Sequence, residues 1–110
     1  VRLFLLKLKS YSFSEAWILD GDYHRDSNKV AIINCFGSTY YYRYNLLHRD
    51  NGPALIIPSE VKEWYIDGKL HREDGPAVIA ANGRLVWHLN YKAYSEEEFH
   101  AEISLRNAAK

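Results

Sequence analysis

The sequence predicts a mainly β fold. Tandem antiparallel β-hairpin repeats form one elongated twisted sheet, and a capping α-helix at about residues 95–107 closes it. Three observations predict this. The first is self-similarity. Residues 64–77 read WYIDGKLHREDGPA, residues 17–30 WILDGDYHRDSNKV, and residues 41–54 YYRYNLLHRDNGPA. Residues 87–99, WHLNYKAYSEEEF, match only the first half. The aromatic starts, Trp17, Tyr41, Trp64 and Trp87, give periods of 24, 23 and 23 residues, the range of stacked supersecondary units. The second is turn chemistry. Asp20-Gly21 and Asp67-Gly68 lie between apolar segments, a strong hairpin signal because a type I′ turn needs positive φ at both central positions. The third is Ser95-Glu96-Glu97-Glu98, a capping box that starts a helix.

In chain order, residues 1–16 form a lead-in. VRLFLLKLK lacks Gly and Pro and alternates at its end as a strand does. Residues 12–16 approach the first hairpin. Residues 17–94 are the hairpin repeats and 95–110 the cap, all within one domain of 110 residues. Each repeat runs from an aromatic-led strand through a two-residue turn into a short return strand. The turns at Tyr44-Asn45 and Asn90-Tyr91 are poorer, and Tyr91, which carries a Cβ, predicts a looser fourth turn. A polar corner, HRxxGP, follows. Gly52-Pro53 and Gly75-Pro76 end one strand and start the next. The first repeat has Asn28-Lys29 instead, so its corner is expected to be the least rigid. Residues 54–57 and 77–80 are apolar strands, and Gly37, residues 58–60 and Asn82-Gly83 turn them back. A two-residue turn fixes register, setting Trp64 opposite His71, Trp17 opposite His24, Tyr41 opposite His48 and Trp87 opposite Tyr94. In the helix, Phe99 and Ile103 share a stripe with Ala101 and Leu105 at its edges.

Composition narrows the function. Fourteen basic and fourteen acidic residues give a net charge of +0, with a pI near 7.1. No polybasic run is present, so nucleic acid and anionic membrane are not expected partners. No apolar run approaches the roughly 20 residues that span a bilayer. The single cysteine, Cys35, permits no intramolecular disulfide and no thiolate zinc site. It points to a reducing, cytoplasmic setting and reads as a small buried apolar residue.

The His-Arg-acid runs, His24-Arg25-Asp26, His48-Arg49-Asp50 and His71-Arg72-Glu73, are the most suggestive chemistry. One imidazole and one carboxylate per repeat fall short of the four ligands of a zinc site. The residues recur with the corner, so the structural reading is favoured: each His packs on the aromatic opposite it, while Arg and the acid brace the corner by ion pairing. Trp17, His24, Tyr41, His48, Trp64, His71, Gly75, Pro76 and Trp87 are thus repeat-forming residues. No nucleophile elbow or Gly-rich phosphate loop is present, so no catalytic residue, metal or cofactor is expected. The competing enzymatic reading is a metal-dependent hydrolase using His48, Asp50 and His71. The tyrosines Tyr40, Tyr41, Tyr42 and Tyr44 crowd one strand around Arg43. Strand propensity explains part of this. Alternation places Tyr40, Tyr42 and Tyr44 on one face, and Tyr and Arg dominate binding hot spots. Tyr40, Tyr42, Arg43, Tyr44, Tyr65 and His88 are the candidate partner-binding residues.

The repeat W-x-x-D/N-G-x-x-H-R-x-D-G-P-A, closed by YSEEEF, resembles the MORN-variant repeats of bacteriophage and giant-virus proteins. The resemblance covers roughly residues 13–99. It is most specific at 64–77, good at 47–54, and degraded after Asp26 in the first repeat. It implies tandem hairpins serving as an interaction scaffold, with no catalytic residues to carry over. The expected function is therefore a non-enzymatic protein-interaction module. Its sharper form is a phage-encoded inhibitor that binds and blocks a bacterial host defence protein in the host-cell cytoplasm. The alternative is a self-assembling, homo-oligomeric structural repeat.

Overall fold

A computed structural model describes residues 3–7, 15–26 and 28–110. The chain enters as β1 (Leu3–Lys7), which pairs antiparallel along the whole of β2 (Glu15–Leu19). The lead-in is thus a strand where it is described; the rest of it up to residue 14 lies outside the described residues. β2 turns through Asp20-Gly21 into β3 (Asp22–Tyr23). After the first corner come β4 (Ile32–Ile33) and β5 (Thr39–Tyr40). Tyr41 interrupts, and the strand resumes as β6 (Tyr42–Arg43), which turns into β7 (Leu46–Leu47). The next unit repeats this as β8 (Leu55–Ile57), β9 (Val61–Glu63), Trp64, β10 (Tyr65–Ile66) and β11 (Lys69–Leu70). The last is β12 (Val78–Ile79), β13 (Leu85–Leu89), β14 (Lys92–Tyr94) and α1 (Glu96–Ala108).

The fold is mainly β, antiparallel and elongated, as the sequence predicts. Extents are 46 × 35 × 18 Å. The main sheet runs β1-β2-β4-β5-β8-β9-β12-β13-β14, with β3 beside β2; β6–β7 and β10–β11 are two-stranded ladders next to it. Backbone bonds stitch each hairpin to the one before. Arg25, Arg49 and Arg72 N–H donate to the carbonyls of Tyr42, Tyr65 and His88 at 3.2, 3.1 and 3.3 Å. Asn45, Gly68 and Tyr91 N–H return bonds to Tyr23, Leu47 and Leu70 at 2.8, 2.8 and 3.0 Å.

The turns set this register. Tyr65 pairs Leu70 and Ile66 pairs Lys69, so His71 N–H reaches Trp64 O at 3.1 Å. The same holds for His24 on Trp17 and His48 on Tyr41, and Trp87 pairs Tyr94. All four turns have positive φ at both central residues: 47° and 88° at Asp20-Gly21, 48° and 68° at Tyr44-Asn45, 47° and 80° at Asp67-Gly68, 51° and 73° at Asn90-Tyr91. The fourth turn is therefore not looser in form. Tyr91 is held in the left-handed region by its hydroxyl, which donates to Gly68 O at 2.6 Å, and by its amide bond to Leu70 O.

Among the described residues the buried apolar side chains are Ala16, Leu19, Ala31, Ile32, Ala54, Ala77, Leu89 and Phe99, and three of these alanines alternate with half-buried aromatics in a transverse row. Trp17, Tyr41 and Trp64 N–H donate to Ala31, Ala54 and Ala77 at 2.7–2.8 Å. The alanines in turn donate to Tyr40, Glu63 and Val86, beside the next aromatic. Each alanine is 0 or 1% exposed, because rings stand on both sides of it and the corner lies over it. The corner from His24 to Ala31 holds one residue more than those from His48 to Ala54 and His71 to Ala77. That single residue is why the first period is 24.

Two burial expectations are corrected. Cys35 is exposed. It sits at the tip of a turn whose inner amides, Phe36 and Ser38 N–H, bond to Asn34 Oδ1 at 3.0 and 2.9 Å, so Cys35 and Phe36 point outward. Leu105 is 67% exposed; six residues past Phe99, it lies round the far side of the helix. Phe99 itself is buried against Trp87, with ring centroids 4.8 Å apart. The cap also ends the array chemically. Ser95 stands where the other units have Arg. Its N–H donates to Glu98 Oε1 at 2.9 Å instead of to a further strand, and its Oγ accepts Glu98 N–H at 3.1 Å.

Candidate functional site

Each histidine stands opposite its aromatic in register, yet its ring bonds forward to the next unit. His24 Nδ1 accepts Tyr44 N–H at 2.9 Å, His48 Nδ1 accepts Asp67 N–H at 2.9 Å, and His71 Nδ1 accepts Asn90 N–H at 3.1 Å. These amides belong to the first turn residue of the following hairpin, which a type I′ turn leaves pointing out of its own ladder. At Nε2, His24 and His48 donate to Asp26 and Asp50 at 2.6 and 2.8 Å. Both ring nitrogens are thereby used, which fixes the neutral Nε2–H tautomer at these two rings.

The ring partner of each aromatic is arginine. The guanidinium carbons of Arg25, Arg49 and Arg72 lie 4.1, 3.9 and 3.9 Å from the ring centroids of Trp17, Tyr41 and Trp64. This corrects the expectation that His packs on the aromatic while Arg pairs with the acid. A planar cation stacks well on a π face, and the imidazole is needed elsewhere. Each Arg also closes its corner by donating from Nη1 to Val30, Pro53 or Pro76 O at 3.3, 3.2 and 3.1 Å. Gly75 in the third corner permits the wrap, since a Cβ there would lie 2.7 Å from Arg72 Cζ. Arg72 pairs with Asp74 at 2.8 Å rather than with Glu73.

The candidate partner-binding residues divide. Tyr40, Tyr42, Tyr65 and His88 lie on the sheet face opposite the corners, all half-buried. Register carries that face across the sheet: Ile32 pairs Tyr40, Tyr40 pairs Leu55, Leu55 pairs Glu63, Glu63 pairs Val78 and Val78 pairs Val86. Tyr42 stacks on Tyr23, 5.4 Å between centroids. Burial, then Tyr40 and Tyr23, raises the Tyr42 phenol above its ordinary pKa. Burial and its bond to Glu63 Oε1 at 2.8 Å raise that of Tyr65. Burial lowers that of His88, whose Nδ1 is buried without a hydrogen-bond partner among the described residues. Tyr44 is not on this face. Its positive φ breaks the strand alternation, and its ring lies 4.3 Å from His24 on the corner side, 62% exposed. Arg43 spans to the next turn, bonding Asp67 at 2.7 Å and holding that carboxyl below its usual range.

On the corner side, clefts open between successive units. The one between the second and third corners encloses about 760 Å³, lined by Arg49, Asp50, Trp64, His71, Arg72 and Glu73. Its counterpart between the first and second is about 140 Å³, lined by equivalent positions such as Arg25, Tyr41, His48 and Arg49. Charges of both signs line them. Among the described residues no group of three or more His, Cys, Asp and Glu is arranged to hold a metal ion. No helix among them is long and apolar enough to cross a membrane.

Sequence reasoning missed the forward histidine bond and the arginine stack. The signal for the first was present: each His precedes the next unit's first turn residue by 20, 19 and 19 residues, so His and turn keep step. No family profile, curated protein or solved structure matches the chain.

Proposed function

We propose that the chain is a non-enzymatic protein-interaction module that docks a partner protein on the tyrosine-bearing face. The observation carrying this reading is the asymmetry of the two faces. Corner loops and the Arg–aromatic stacks cover one side of the aromatic row. The other presents Tyr23, Tyr40, Tyr42, Leu55, Tyr65 and Val86, half-buried and continuous in register across three units. Rigid tyrosines on a sheet supply large contact area at low entropic cost. The resemblance to viral MORN-variant repeats extends the proposal to an inhibitor that blocks a host defence protein.

The test is affinity capture from bacterial lysate, with the intact chain and a Tyr40→Ser/Tyr42→Ser/Tyr65→Ser variant as baits. The expected result is one protein retained stoichiometrically by the first and lost by the variant while its circular dichroism persists. Recovery of no stoichiometric protein, or equal recovery by both baits, counts against the reading. Concentration-dependent self-association in sedimentation, abolished by the same variant, would point instead to a homo-oligomer.

A further inference from the structure

An asparagine followed by glycine can lose its side-chain amide without an enzyme. The glycine backbone nitrogen attacks the asparagine Cγ and a C–N bond forms. The side-chain nitrogen leaves as ammonia, carrying the proton of the glycine amide. Water then opens the cyclic imide at either carbonyl, which leaves aspartate or isoaspartate. The chain holds two such pairs, Asn51-Gly52 and Asn82-Gly83.

The fold treats the two pairs differently. Asn82-Gly83 lies in the turn between β12 and β13, where both reacting groups are tied. Gly83 N–H donates to Ala80 O at 2.9 Å, and Asn82 Oδ1 accepts Arg84 N–H at 2.9 Å. Asn51-Gly52 lies in the bend of the second corner, with Asn51 exposed. Neither the Asn51 side chain nor the Gly52 N–H has a hydrogen-bond partner among the described residues. Gly52 has no Cβ to shield its nitrogen. The Arg49 guanidinium lies against it, its carbon 3.0 Å from where that Cβ would stand. A cation there favours the amide anion that attacks and the oxyanion that follows.

The third corner shows what the product does. Asp74 holds the place of Asn51, and Arg72 that of Arg49. Arg72 Nε donates to Asp74 Oδ1 at 2.8 Å. Arg49 Nε meets no carboxylate at that place and reaches across to Asn28 Oδ1 in the first corner. Asn28 and Arg49 both line the smaller cleft, of about 140 Å³ against 760 Å³ for the next. We propose that Asn51 is a site of self-deamidation, and that the carboxylate of the aspartate product takes Arg49 Nε from Asn28 and so unties the first corner from the second. A bond between two charged groups is the stronger of the two. The change is one-way, adds a negative charge on the corner side, and leaves the tyrosine-bearing face as it is.

Peptide mass spectrometry on the intact chain, held at mildly alkaline pH and sampled over time, tests this. The Asn51 peptide is expected to gain the mass of an amide turned acid, in both aspartate and isoaspartate forms. Asn82 should lag by about tenfold or more, the factor that one hydrogen bond of ordinary strength withholds. In urea, where neither pair is held, both should convert alike. No conversion at Asn51, Asn82 keeping pace with it in the folded chain, aspartate without isoaspartate, or the same lag in urea would each overturn the proposal. Asn51→Asp carries the aspartate product directly. Its crystal structure is expected to show Arg49 Nε on the new carboxylate and Asn28 released; Arg49 still on Asn28 would overturn the untying. The kinetic comparison decides the site even where the variant does not fold.

Discussion

Replacing Gly75 by alanine tests whether the arginine wrap holds the corner. The added Cβ would lie 2.7 Å from Arg72 Cζ and 3.0 Å from Nε and Nη1. The backbone is not the obstacle, so the guanidinium must move. Moving it lifts Arg72 off the Trp64 ring, 3.9 Å below, and breaks the Nη1 bond to Pro76 O. The half-exposed cation–π contact is worth about 0.5–1 kcal/mol. The charged hydrogen bond is worth about 1.5 kcal/mol at most, since water reaches the freed guanidinium. Gly75→Ala should therefore cost about 1–2 kcal/mol. Arg72→Ala removes these two interactions together with the Asp74 pair, so the effects must not add. The assay is urea unfolding of the native chain, both single variants and the double variant, read as midpoint shifts at constant m. The double variant is expected within about 0.5 kcal/mol of Arg72→Ala alone. Additive losses, or a neutral Gly75→Ala in the presence of Arg72, would refute the wrap as the reason for this glycine.

Other perturbations read other links. His48→Ala leaves the Asp67 amide without its acceptor and should cost about 1–3 kcal/mol, with His48→Asn recovering most of it in the same assay. Ala54→Leu inserts three carbons between the Tyr41 and Trp64 rings and should cost about 1–3 kcal/mol or more, seen as a lowered thermal midpoint. Phe99→Ala should cost about 3–5 kcal/mol and change Trp87 fluorescence as the helix loses its anchor. The pH dependence has a definite sign at the alkaline end. The Tyr42 and Tyr65 phenols are raised in the fold, so their contribution is complete below the ordinary tyrosine value of about 10 and is lost as pH rises through the folded values. Tyr42→Phe/Tyr65→Phe should remove that alkaline loss, followed by tyrosinate absorbance alongside unfolding.

Local chemistry was the legible part of the chain. Asp67-Gly68 admits one turn type, and that turn dictates which residue faces Trp64. Ser95 and Glu98 stand three apart, which dictates the start of the helix. What stayed hidden depends on the neighbouring unit. Tyr91 reads as a poor turn residue until Gly68 O is placed within reach of its hydroxyl. The histidine reads as a companion to its aromatic until the next unit's amide arrives to claim Nδ1. Cys35 reads as buried by its residue type, yet the Asn34 side chain takes the inner amides of its turn and the cysteine points out. Of the candidate binding residues, strand alternation places Tyr40, Tyr42, Tyr65 and His88 on one face. It fails at Tyr44, where φ of 48° turns the side chain to the opposite side.

The extra residue in the first corner has a consequence for how such a chain can change. It lengthens the path from His24 to Ala31, yet Trp17 still bonds Ala31 as Tyr41 bonds Ala54. The sheet therefore does not count residues between these two points. Both ends are anchored independently, one by the imidazole and one by the alanine. An insertion between Asp26 and Val30 should pass unnoticed by every strand downstream, whereas one between Trp17 and Asp20 would turn the side chains between it and the Asp20-Gly21 turn to the wrong face. The corners are the places where this chain can be lengthened, tagged or diversified without refolding the rest.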